Sequence, residues 1–162
     1  MALADLIVVM NDGRIEQAAH PRTVFERPAT AFVARFMGDH NVVSGRVGKD
    51  SNGLAEVEVP NGGTFAAIGA YGSPGEPIDI AIRTDHVRLG HPSIKGLGFT
   101  GTVSNIEYRG SSVKLSIDGA GIEDFTAIVD DKAFFEKPVA VGEAVPLHWD
   151  AEDAIVLGRL SD

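Results

Sequence analysis

Residues 78–90 read IDIAIRTDHVRLG, and the fold follows from how this stretch is taken. Ile78, Ile80 and Ile82 alternate with Asp79 and the small Ala81, which is the period of a strand with one face toward a core and one toward water. Two other runs alternate in the same way, Ala55-Glu56-Val57-Glu58-Val59 and Val113-Lys114-Leu115-Ser116-Ile117. From Asn41 onward glycine, proline and β-branched residues dominate, and turn signals recur at intervals of about 8–12 residues. The spacing predicts that residues 41–162 are nearly all β.

The second part of the quoted stretch has a counterpart near the end of the chain: Asp85-His86-Val87-Arg88-Leu89-Gly90 parallels Asp153-Ala154-Ile155-Val156-Leu157-Gly158. Gly45-Arg46-Val47 is matched by Gly101-Thr102-Val103, the run 55–59 by 113–117, Phe65-Ala66-Ala67 by Phe125-Thr126-Ala127, and Gly75-Glu76 by Gly142-Glu143. The separation grows in one direction along the chain, as a duplication with insertions in its second copy requires. The fold class expected is therefore mainly β, two similar halves at about 41–95 and 96–162. Each half has about five short strands, in the manner of small five-stranded oligonucleotide/oligosaccharide-binding (OB) barrels.

Residues 1–40 read differently. Leu6 to Met10 is apolar, Asn11-Asp12-Gly13 supplies the positive φ of a tight hairpin, and the chain resumes an extended pattern from Arg14 to Ala18. Pro21 suits a first helical turn behind a weak cap at His20, and Pro28 stops that helix. A second helix is expected over about 29–37, with Phe32, Val33, Phe36 and Met37 at helical spacing and Gly38 as its terminator.

The bulk numbers limit what the chain does. Its 162 residues are 44% hydrophobic and include no cysteine, which removes disulfides, thiolate metal sites and cysteine nucleophiles. The 23 acidic and 14 basic side chains give a net charge of −9, a field that repels phosphate backbones and argues against nucleic acid as a partner. No apolar run is long enough to span a bilayer, and no secretory leader is evident, so no membrane insertion and a cytoplasmic location are expected.

Little in the sequence carries chemistry. Gly96-Leu97-Gly98-Phe99-Thr100-Gly101 satisfies G-x-G-x-x-G, but the alternation of 102–108 after it reads as strand where a dinucleotide site needs a helix, so the segment is taken as a connector between halves. The five histidines are scattered, with only His148 and Asp150 sharing a face, and no metal is expected. No serine lies in a G-x-S-x-G elbow. The strongest ligand candidate is the turn Arg109-Gly110-Ser111-Ser112, where backbone N–H groups, two hydroxyls and a guanidinium could hold a small oxyanion.

Leu3-Ala4-Asp5, Ile7, Val9-Met10, Gly13, Ile15 and Gln17, followed by Pro21, Val24-Phe25, Pro28, Phe32-Val33-Ala34 and Phe36-Met37-Gly38, resemble the end of the ATPase domain of ATP-binding-cassette (ABC) importers of the polyamine and iron types. Leu6 stands where that family usually has Arg. Ile82-Arg83-Thr84-Asp85-His86-Val87, Glu107-Tyr108-Arg109-Gly110-Ser111 and the final stretch 145–157 resemble the transport-associated OB (TOBE) domain that follows such an ATPase. Thr84 and Asp85 replace a Pro and a Glu of the pattern. The corner Arg83-Thr84 joins 109–112 as a candidate ligand-binding position.

The resemblance implies a hairpin and helical linker (1–40) belonging to the end of an ATPase domain, then a TOBE domain (41–162). It further implies a non-catalytic regulatory and dimerising role in solute import, with partners in the subunit's own ATPase domain, membrane permease subunits and a second copy of the chain. The location would be peripheral to the inner membrane. No phosphate-binding G-x-x-x-x-G-K-[ST] loop, acid-ending strand, L-S-G-G-Q stretch or switch histidine is present in these residues. Hence ATP and Mg²⁺ would belong to the ATPase domain and no cofactor to this chain. The alternatives are a free-standing molbindin-like oxyanion-binding protein and a single-stranded nucleic-acid module, the latter disfavoured by the charge and by one Trp and two Tyr.

Overall fold

A computed structural model describes residues 4–51, 53–60, 63–68, 72–93 and 97–158. The chain opens with a two-stranded hairpin, β1 (Ile7–Asn11) and β2 (Arg14–Ala19). Asp12 and Gly13 turn it at φ +47° and +76°, the pair of left-handed residues that a two-residue hairpin loop needs. Helix α1 (Pro21–Glu26) starts on Pro21, and the ring of His20 caps it by accepting the Arg22 N–H at 3.3 Å. Helix α2 (Ala31–Met37) is capped by Thr30, whose hydroxyl accepts the Val33 N–H, and ends on left-handed Gly38. The Gln17 amide ties the connection between them, donating to the Arg27 carbonyl and accepting from Ala29 N–H. Val9, Val24 and Val33 bury a small core of their own within this segment.

The β region forms two five-stranded sheets. Its strands are β3 (His40–Ser51), β4 (Leu54–Glu58), β5 (Thr64–Ala67), β6 (Pro77–Arg83), β7 (Arg88–Leu89), β8 (Gly98–Tyr108), β9 (Ser112–Gly119), β10 (Ile122–Asp130), β11 (Ala144–His148) and β12 (Ala154–Leu157), with helix α3 (Asp131–Glu136) between β10 and β11. One sheet runs β12-β6-β3-β4-β5 and the other β7-β11-β8-β9-β10. The orders are the same position for position, and each sheet takes its fifth strand from the other half of the chain. A parallel bridge between Ile68 and Ile155 closes the first sheet, the ring order of an OB-like barrel. The fold is mainly β, with two OB-like halves.

The likeness extends to register. Gly45 faces Ile78 as Gly101 faces Val145, and Val47 faces Val57 as Val103 faces Ile117. A bulge follows Val47 in one copy and Val103 in the other. The turns before β6 and β11 repeat as well: Gly75 N–H donates to Val47 O and Gly142 N–H to Val103 O, both glycines at positive φ. This register makes Val57 the counterpart of Ile117, two residues away from the sequence match of 55–59 with 113–117. An even slip keeps the same face inward, so alternation cannot detect it. At the chain end the pairing of His148 with Arg88 and Ala81 with Ile155 likewise shifts the match of 85–90 with 153–158 by one residue.

Gly98 and Gly101 lie in β8, so the G-x-G-x-x-G segment is strand from Gly98 on, a correction to its reading as a connector; Gly96 lies outside the described residues. A Cβ on Gly98 would collide with the Leu147 carbonyl, and one on Gly101 would come within 2.5 Å of Ile117 Cγ2. These glycines serve strand packing. One hydrophobic core runs through both barrels, and at its centre Trp149 stacks on Phe65 (5.6 Å, 10°) and tilts against Phe125 at the same distance. Helix α2 lies on the outside of the first barrel through Ala34 against Ala81 and Leu157.

Candidate functional site

A cleft of about 990 Å³ opens between the end of α1 and the first barrel, with Glu26, Arg27, Arg83, His86 and β12 among its walls. Arg83 closes β6 and holds Asp85 through two bonds, Nε to Oδ1 at 3.0 Å and Nη2 to Oδ2 at 2.7 Å. Burial opposes ionisation of Asp85, but the Arg83 hydrogen bonds and charge outweigh it and hold the carboxyl below its ordinary value. The same guanidinium lies 4.9 Å from the centre of the Phe25 ring, a cation–π contact that fastens α1 to the barrel. His86 Nδ1 sits 2.7 Å from Asp153 Oδ1, and Arg88 reaches Asp150 at 2.8 Å. These two pairs join the connectors that carry β7 and β12 into the opposite sheets.

Of the residues singled out by sequence, Thr84 is buried and fully engaged. Its N–H and hydroxyl both donate to the Asp39 carbonyl, and its own carbonyl accepts Ile128 N–H. The turn Arg109-Gly110-Ser111-Ser112 joins β8 to β9, closed by Arg109 N–H to Ser112 O at 2.8 Å with Gly110 at φ +78°. Arg109 Nε donates to Glu107 Oε1 at 2.9 Å, and that bond with the arginine's charge lowers the Glu107 pKa. Ser111 O accepts Asp131 N–H. The Asp130 carboxylate caps α3 by accepting Lys132 and Ala133 N–H, and Asp131 adds a second carboxylate next to the turn. Among the described residues that line the cleft none comes from 109–112, so Arg83 and the turn do not meet there. His148 and Asp150 also go separate ways, to Gly90 O and Arg88. Among the described residues no three His, Asp or Glu side chains gather in a metal-binding arrangement.

Sequence reasoning missed two positions. His40 is 92% buried between Phe25, whose ring meets it edge to face at 6.3 Å, and the strand ladder, yet neither ring nitrogen has a partner. Asn41, next along, spans both halves with its side chain (Nδ2 to Thr126 O at 2.8 Å, Thr126 N to Oδ1 at 2.7 Å). No spacing rule signals either one. The hairpin turns an apolar face outward: Leu6, Val8, Met10 and Ile15 are each about half or more exposed.

Comparison with known proteins decides the family. Residues 80–157, from β6 to the end of β12, match the TOBE domain model. The chain carries a TOBE domain. Along 98% of its length it is 31% identical to the spermidine/putrescine import ATP-binding protein PotA of Rubrobacter xylanophilus, covering 42% of that protein. Along 93% it is 35% identical to the Fe(3+) ions import ATP-binding protein FbpC of Brucella suis, covering 38% of it. The TOBE chain thus fits the C-terminal TOBE part of an ABC importer subunit, and spans about two fifths of the length of these relatives. Among solved structures it is similar to the cytoplasmic molybdate-binding protein ModG, crystallised with molybdate bound. That likeness has a TM-score of 0.60 at 22% identity, covering 72% of this chain and 94% of that one, and it is a likeness of fold. No helix among the described residues is long and apolar enough to cross a membrane.

Proposed function

We propose that this chain is the non-catalytic regulatory and dimerising part of an ABC importer's ATP-binding assembly of the polyamine or iron type, located in the cytoplasm against the inner membrane. The observation that carries the reading is the β1–β2 hairpin. Its outer face presents Leu6, Val8, Met10 and Ile15 to solvent, while its inner face is packed on a helical segment that docks onto the first barrel. An apolar sheet face of this kind is a place for another domain. An ATP-binding domain would cover it and would hold ATP and Mg²⁺, and permease subunits would be met through that domain. Contacts between TOBE units of two copies would keep the assembly together between rounds of hydrolysis.

Light scattering tests the apolar face: the chain is expected to self-associate, and Val8→Lys with Ile15→Lys to reduce the association to what contacts between TOBE units alone support. A free-standing molbindin-like oxyanion-binding protein is the competing reading, with the likeness of fold to ModG in its favour. The pairing of Arg109 with Glu107 and the carboxylates of Asp130 and Asp131 beside the 109–112 turn count against it. Titration calorimetry with molybdate, tungstate and sulfate is expected to show no binding, and micromolar affinity for any of them would replace the regulatory reading.

A further inference from the structure

We propose that the joint between α1 and the first barrel, where Phe25 packs on His40 and Arg83, is an acid-operated latch, and that a proton taken up by His40 releases α1. The inference is independent of what covers the hairpin. His40 and Arg83 are direct partners in the β3–β6 ladder, and like charges directly opposite one another on neighbouring strands repel. A neutral His40 ring acts as an apolar surface for Phe25. An imidazolium has two N–H donors, and here neither ring nitrogen has an acceptor.

No carboxylate is hydrogen-bonded to the His40 ring. Asp39 and Asp85 favour the charged ring while Arg83 and His86 oppose it, and Asp85 is already held by Arg83 through both oxygens. On the helices, Glu26 is paired with Arg22, and the other charged residues are Arg27 just beyond α1 and Arg35 on α2. Burial first, and then the Arg83 charge, push the His40 pKa below its ordinary 6.5. A histidine with a depressed value in the docked state takes its proton more readily once released. The docked state is therefore at full strength above pH 6.5 and loses stability as pH falls toward the lower docked value. Between pH 7.5 and 5.5 this linkage weakens docking by up to about tenfold.

Hydrogen exchange on the whole chain at pH 7.5 and 5.5, corrected for the intrinsic pH dependence of exchange, tests the latch. Amides of α1 and of residues 39–41 are expected to lose several-fold protection at the lower pH, up to about tenfold, with β9 unchanged. His40→Phe should remove the loss, and so should His40→Met, a second neutral variant in case the larger ring disturbs packing; urea unfolding at pH 7.5 identifies which variant is folded. His20→Asn, which replaces the other histidine at α1, should leave the loss in place. Equal protection at the two pH values in the wild-type chain would overturn the proposal, as would an undiminished loss in a folded His40 variant.

Discussion

Asn41 does with one side chain what a strand does with its backbone. Its amide gives and takes a hydrogen bond at Thr126 on the free edge of β10, and so satisfies an edge that the sheet leaves open. Asn41→Ala would leave two part-buried backbone groups unpaired, and a loss of about 2–4 kcal/mol in urea unfolding is expected. The Arg83–Asp85 pair is of another kind. The Asp85 side chain is 47% exposed, so Asp85→Asn is expected to cost less than about 1 kcal/mol at neutral pH. Since Asp85 titrates below its ordinary 3.8 in the folded chain, its contribution is present above that value and fades as pH falls through the lower folded one. Acid-unfolding curves of wild type and variant should therefore converge at the acid end. Residue identity alone flagged Arg83 and Thr84 but gave Thr84 the wrong kind of work: its polar groups are spent on Asp39 and Ile128, which follows from a neighbour 45 residues earlier in the chain that local reading does not reach.

At the level of elements, the two copies repeat their close approaches as well as their strands. Gly45 lies against the Glu58 carbonyl and, at 2.8 Å from a would-be Cβ, Val57 Cγ1; its equivalent Gly101 lies against Ile117 Cγ2 and Asp118 O. Gly45→Ala and Gly101→Ala should each destabilise by about 1–3 kcal/mol, since the clash is with a neighbouring strand that cannot give way cheaply. Thermal melts of the two variants should shift in the same direction and by similar amounts. Hairpin, the first two helices and most strands could be read locally, because turn chemistry, capping and alternation act within a few residues, whereas α3 went unread. The start of α1 was less legible. His20 is a poor cap by residue type, but its ring nitrogen accepts Arg22 N–H, and His20→Ser is expected to stabilise the helix start modestly, about 0.5 kcal/mol.

For the whole molecule the exchange of β7 and β12 is the governing fact. Each barrel is completed by the other half, and Trp149, Phe65 and Phe125 pack across them as one aromatic cluster. Residues 1–95 and 96–162, produced separately, should show little native circular dichroism and should regain it on mixing. An independently folded half, with cooperative unfolding, would contradict a shared core. The duplication could be seen in sequence, since each copy had to keep its own inward face, its bulge and its turn glycine. Which strand completes which barrel could not, because β7 and β12 stand at equivalent places in the two copies and alternation names no pairing partner for either. The pairs His86–Asp153 and Arg88–Asp150 join the two connectors in the crossed arrangement that the chain adopts. The sequence by itself determined a mainly β chain of two OB-like halves behind a hairpin and two helices, through short-range periodicity. Only the tertiary structure decided that the halves are interlocked and that His40 is sealed between Phe25 and Arg83, because both are set by contacts between residues far apart in the chain.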